Sequence, residues 1–177
     1  MCSTVRGYGV AMVKKSAAVH TNATKVLFHE NVPYAIHQYD TVSAEAGPTW
    51  GLPQESFDDP RRVFRTAITL VDERPISAVV PIDSILDDAL VAAAVGGETA
   101  VEANPEAAAS ISGFPPDAVS PLGTKEELAT LVDVSALDYK TIYVSAGESG
   151  FTIELSPTDL LRLTNARTAP IARRLYA

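Results

Sequence analysis

The chain has 177 residues, 46% hydrophobic and 20% charged, with a net charge of -8 and one cysteine, Cys2. A length of this order suits one domain with its own core and no second full domain, and no apolar run approaches the roughly 20 residues a membrane helix needs. From Pro75 to Thr124 there is no Lys or Arg, while Asp83, Asp87, Asp88, Glu98, Glu102, Glu106 and Asp117 fall there; composition alone therefore argues against nucleic acid as a partner, since cations neutralise phosphates.

Arg6 and Lys14-Lys15 break the apolar stretch of Met1 to His20, so the order of a secretory signal is missing and residues 1–20 are predicted to be a flexible leader before a domain at 21–177. Cys2 lies in that leader, which agrees with a reducing cytoplasm, the expected location. Thr21 or Asn22 caps a short helix carrying Ala23, Val26, Leu27 and Glu30, ended by Asn31. Tyr34 to Tyr39 alternates as a half-buried strand, and Asp40 to about Leu52 is a loop rich in small residues.

Asp59-Pro60 suits a turn or first helical position. Val63 to Val71 and Ile76 to Ile82, joined through Glu73-Arg74, predict a β-hairpin. Asp83 or Ser84 is expected to cap an Ala-rich helix from Ile85 to Val95, stopped by Gly96-Gly97, and the pair Asp87-Asp88 reads as a solvated helix face. A strand at Thr99 to Ala103 precedes a helix opened by Asn104-Pro105-Glu106; Leu128 to Asp133, Thr141 to Ser145 and Phe151 to Leu155 are β-rich, and Ser156-Pro157-Thr158-Asp159 starts a last helix. These elements predict an α/β (α+β) fold with a mixed, largely antiparallel sheet or open barrel and surrounding helices.

Unaided, the residues offer little chemistry. His20, His29 and His37 do not make a metal-site pattern, Gly7-Tyr8-Gly9 and Gly96-Gly97 are too short for phosphate loops, and Ser120 and Ser145 lie in no nucleophile elbow.

Read in order, however, Thr24-Lys25-Val26-Leu27, Val32-Pro33-Tyr34 to His37-Gln38-Tyr39-Asp40, and Asp59-Pro60-Arg61-Arg62-Val63-Phe64-Arg65-Thr66 resemble the first half of YbaK/ProX proteins, relatives of the editing domain of bacterial prolyl-tRNA synthetase. Val119-Ser120-Pro121-Leu122-Gly123, Leu131-Val132-Asp133, Thr141 to Gly147, Ile153-Glu154-Leu155 and Ile171-Ala172-Arg173 continue the resemblance, which covers about Thr21 to Arg174. It implies aminoacyl-tRNA editing by metal-independent, cofactor-free hydrolysis of mischarged tRNA, most typically Cys-tRNA(Pro). The implied partners are the tRNA acceptor end and prolyl-tRNA synthetase, with neither membrane nor DNA.

The resemblance implies a pocket for the acylated terminal adenosine, lined by Tyr39, Trp50, Thr66, Gly113, Ser120, Pro121 and Ser145, with Arg65, Asp117 and Ala118 at catalytic positions. For cysteine it implies substrate-assisted chemistry, the thiol attacking its own ester while the protein orients it and stabilises the oxyanion. Three departures oppose it. Arg65 stands at a lysine position, Asp117-Ala118 replaces Gly-Gly before the Ser-Pro pair, and Glu126-Glu127 and Glu148-Ser149 replace basic residues. A second reading follows from them: a catalytically degenerate binding or regulatory module on the same fold.

Overall fold

The computed structural model describes residues 19–38 and 59–175. Residues 1–18 of the expected leader, the loop expected from Asp40 to about Leu52, and the site candidates Tyr39 and Trp50 lie outside the described residues.

Thr21 opens helix α1 (Asn22–His29) with a capping box: its hydroxyl accepts from the Thr24 amide while the Thr24 side chain accepts from the Thr21 amide. Asn31, at φ 53°, turns the chain beyond the helix into strand β1 (Ala35–Gln38). A single 3-10 turn over Pro60–Arg62, capped by Asp59, leads into the predicted hairpin, β2 (Phe64–Val71) and β3 (Arg74–Pro81). Its turn is Asp72-Glu73, one residue earlier than expected, and both residues have the positive φ of a type I′ turn.

The helix expected from Ile85 to Val95 is corrected at its start. Ser84–Leu86 form a short strand, β4, and helix α2 runs over Asp88–Val95. Its cap is Asp87 rather than Asp83 or Ser84, with Oδ1 accepting from the Leu90 amide at 3.1 Å. Strand pairing from a distant segment wins over local helix propensity here. Asp87 is accordingly buried and paired with Arg173, not part of a solvated face.

The remaining elements follow the expected order: β5 (Ala100–Glu102), α3 (Pro105–Ser112), β6 (Ala129–Asp133), β7 (Ile142–Ser145), β8 (Phe151–Leu155) and α4 (Pro157–Thr164). Two short strands were not foreseen, β9 (Arg167–Ala169) and β10 (Ala172–Arg174). The strands form a five-stranded mixed sheet in the order β5-β2-β3-β6-β9, a three-stranded antiparallel sheet β1-β8-β7, and the pair β10-β4. Among the described residues no closed barrel forms, and mixed, mostly antiparallel pairing is the outcome.

One core lies between the two larger sheets: Phe64, Val79 and Val132 from one meet Ile142, Val144 and Ile153 from the other, with Leu27 of α1 and Leu160 of α4. A second packs α2 and β10 on the opposite face through Val71, Ala78, Val80, Val91 and Ile171. Each fully buried aliphatic side chain here contributes about 1.5–3 kcal/mol. Gly123, at φ +70°, lets the chain pass close under α1: a Cβ there would lie 2.5 Å from the Asn22 carbonyl carbon. An isolated bridge from Val63 to Tyr143 draws the start of β2 alongside β7, and that junction positions the site.

Candidate active site

At this junction Val63, Phe64, Arg65 and Thr66 meet Val144, Ser145 and Thr152 of the three-stranded sheet and Pro116, Asp117 and Val119 of the loop after α3, around a cavity of about 50 Å³. Four predicted site residues are thereby brought together: Arg65, Thr66, Asp117 and Ser145. Two roomier depressions, about 330 and 510 Å³, lie beside Arg167 and contain none of the predicted site residues. Chemistry, not size, points to the first.

Successive strand residues face opposite ways, so Arg65 and Thr66 reach the site differently. Arg65 shares its face with Thr69, opposite which Glu102 stands in the β2–β5 ladder. The guanidinium donates to Glu102 through two nitrogens, at 2.8 and 3.4 Å, and keeps 12% of its side-chain surface against 38% for Glu102. A planar two-nitrogen fork pairing with a carboxylate is a geometry the compact lysine ammonium cannot make.

Thr66 presents its hydroxyl from the other face. Thr66 Oγ1 and Thr152 Oγ1 are both buried and without a hydrogen-bond partner among the described residues, a state that costs about 1–3 kcal/mol per group. Ser145, directly opposite Thr152 in the β7–β8 ladder, accepts from the Gly147 amide at 3.1 Å. Three hydroxyl-bearing residues therefore border one small cavity. Thr152 is the member that sequence reasoning missed, because a threonine in a strand is ordinary until its surroundings are known.

The loop after α3 is arranged differently from the expectation. Asp117 borders the cavity and its carboxylate accepts from the Ser149 hydroxyl. Ala118 is buried, and its amide donates to Pro115 O at 2.9 Å, closing a turn. Ser120 is 0% exposed with its hydroxyl accepting from the Leu122 amide, and Pro121 is buried behind it. Gly113 is the left-handed cap of α3, packed on Lys125. Ala118, Gly113, Ser120 and Pro121 do not border the cavity.

The polar face of the three-stranded sheet continues past Thr152 to Glu154, whose carboxylate accepts from Thr141 at 2.6 Å, His37 Nε2 at 2.8 Å and Arg62 at 2.8 Å. The Arg62 guanidinium also lies 4.8 Å over the Tyr143 ring. Burial pushes the Glu154 pKa up, but the bonds from Thr141, His37 and Arg62 outweigh it and hold the group below its ordinary value of 4.5. A depressed folded-state value means stability that is present above the unfolded-state pKa and lost as pH falls through the folded one. Glu154→Gln is thus expected to be less stable at neutral pH yet to lose less stability between roughly pH 5 and 3, measured by urea midpoints at each pH.

Among the described residues no group of three His, Cys, Asp or Glu side chains is placed to hold a metal ion, and no helix is long and apolar enough to cross a membrane. The family model of the aminoacyl-tRNA editing domain matches residues 53–163, more than half of the chain. The chain belongs to the aminoacyl-tRNA editing-domain family. An Enterococcus faecalis protein, EbsC, named as a proposed Cys-tRNA(Pro)/Cys-tRNA(Cys) deacylase, is 30% identical over 168 residues, covering 92% of this chain and 99% of the relative.

Solved structures agree on the fold of this editing domain. A proposed trans-editing enzyme for prolyl-tRNA synthetase superposes with a TM-score of 0.72 at 19% identity, over 88% of this chain and 99% of that one. A hypothetical protein designated APE2540 gives 0.71 at 19% identity, over 86% and 100%. The family expected from the ordered blocks around Arg65-Thr66 and Tyr143-Val144-Ser145 is the family found, and aminoacyl-tRNA editing is its function.

Proposed function

We propose that this editing domain hydrolyses mischarged tRNA of the Cys-tRNA(Pro) type in the cytoplasm, with residues 21–177 as the catalytic domain and prolyl-tRNA synthetase as the enzyme whose errors it corrects. The observation that carries the reading is a cavity bordered by Arg65, by the hydroxyl-bearing residues Thr66, Ser145 and Thr152, and by Pro116, Asp117 and Val119 of the loop after α3. Arg65 holds the phosphate of the acceptor end, releasing Glu102 as it does so. Thr66 and Ser145 flank the ester.

In this reading the substrate's thiol sulfur bonds the ester carbon, the bond from that carbon to the ribose oxygen breaks, and the thiol proton ends on the freed ribose oxygen. Water then opens the thiolactone. The chain supplies orientation and oxyanion donors, which together account for many orders of magnitude in such reactions. Because the Ala118 amide is committed to Pro115, the amides of Asp117 and Val119 are the candidates for the oxyanion.

One observation favours a catalytically degenerate binding module instead: Asp117 puts a carboxylate at the cavity wall, where it opposes a developing negative charge. Amino-acid release from Cys-tRNA(Pro) and Ala-tRNA(Pro), by the native protein and by a variant with both Asp117→Gly and Ala118→Gly, separates the two. The editing reading expects release by the native protein and about 10-fold faster release by the variant, less than the roughly 100- to 1,000-fold that a whole oxyanion donor is worth. An inert native protein beside an active variant would establish the binding module.

A further inference from the structure

Thr152 occupies a place at which the chain gains nothing from a hydroxyl. Its side chain stands on the cavity-facing side of β8, opposite Ser145 on one flank and His37 on the other. It is 2% exposed, and its Oγ1 has no hydrogen-bond partner among the described residues. Valine has the same shape and would fill the site without burying an unsatisfied polar group. Thr69 and Ser77 also bury unpaired hydroxyls, but neither borders this cavity.

The volume narrows what can satisfy Thr152. A water molecule needs roughly 10–15 Å³ of such space. About 50 Å³ therefore holds a few waters or one small side chain. Within the proposed function, the group that enters is the side chain of the esterified amino acid.

We propose that Thr152 is the specificity-determining residue of this pocket, its hydroxyl selecting small acyl side chains that end in a hydrogen-bonding group, a thiol or hydroxyl, over a methyl of similar size. The inference rests on the deacylase reading above. A site that hydrogen-bonds a substrate group rejects the analogue lacking it far better than an apolar pocket separates near-isosteres. Here the contact is single and neutral, so the expected discrimination is about 10-fold.

The test uses full-length protein in native, Thr152→Val and Thr152→Ser forms. Because alanine carries no thiol to attack its own ester, selection is read as affinity, from competition of non-hydrolysable amide-linked Cys-, Ser- and Ala-tRNA(Pro) against hydrolysis of Cys-tRNA(Pro). Native protein is expected to bind the Cys and Ser forms about 10-fold more tightly than the Ala form; Thr152→Val should lower the Ser/Ala affinity ratio about 10-fold with no fall in thermal midpoint, and Thr152→Ser should retain it. An equal loss of affinity for all three forms in Thr152→Val would assign the hydroxyl to the ribose or ester and overturn the selection; so would an unchanged ratio. No release from Cys-tRNA(Pro) by folded native protein would overturn the deacylase reading, and this inference with it.

Discussion

Arg65→Ala is expected to lower kcat/KM for deacylation of Cys-tRNA(Pro) about 30- to 100-fold, equivalent to roughly 2–3 kcal/mol of lost transition-state binding, the range of hydrogen bonds to a charged group. Arg65 borders the cavity and its side chain is only 12% exposed, so its guanidinium is desolvated enough for its contacts to count. Its stability effect should be small by comparison, below about 1 kcal/mol, because Glu102 remains partly solvated and such pairs are screened. Activity and urea midpoints measured on one preparation separate the two effects. A large fall in stability with unchanged turnover per folded molecule would make Arg65 a structural residue.

The largest stability effect is expected at Asp133. This side chain ends β6 at 5% exposure and anchors two segments at once. Oδ1 accepts from the Ile171 and Ala172 amides, both at 3.0 Å, and Oδ2 accepts from the Ser135 amide at 3.1 Å and from the Ser135 hydroxyl. It thereby fixes the turn between β9 and β10, and with it the pairing of β10 to β4 and the Ile171 side chain in the second core.

Asp133→Ala would leave three backbone donors without a partner and open space beside them. The expected loss is about 3–5 kcal/mol, a large share of the 5–15 kcal/mol that a domain of this kind has. The readout is a lower urea midpoint with an unchanged slope. Asp133→Asn, which keeps one acceptor oxygen, should lose about half as much. Equal midpoints for native protein and Asp133→Ala would mean that the C-terminal strands are held by packing alone.

Most of the fold was legible because its signals are local. Val63 to Val71 and Ile76 to Ile82 carry enough β-branched residues to be strands, and Asn104-Pro105 and Ser156-Pro157 announce their helices by cap and proline. Ser84–Leu86 was not legible, because its strand partner, Ala172–Arg174, is at the far end of the chain and only tertiary pairing takes these residues out of the helix. The short strand Arg167–Ala169 was missed for the same reason: its ladder is with β6, and its own sequence is polar and mostly exposed.

The site divides along a similar line. Arg65, Thr66, Asp117 and Ser145 came from the order of short blocks, and the Val63–Tyr143 bridge brings those blocks together. Ser120 and Ala118 came from the same blocks, yet local hydrogen bonds in the loop turn them inward, a feature that residue type does not reveal. Thr152 carries no motif. Only the combination of burial, a missing partner and a cavity wall marks it.

The central claim is tested most directly by single-turnover release of cysteine from Cys-tRNA(Pro) by the purified full-length protein. Release well above the spontaneous rate, with correctly charged Pro-tRNA(Pro) left intact, is the predicted result. Cys-tRNA(Pro) decaying at its spontaneous rate in the presence of folded protein would contradict the assignment of deacylase activity to this cavity.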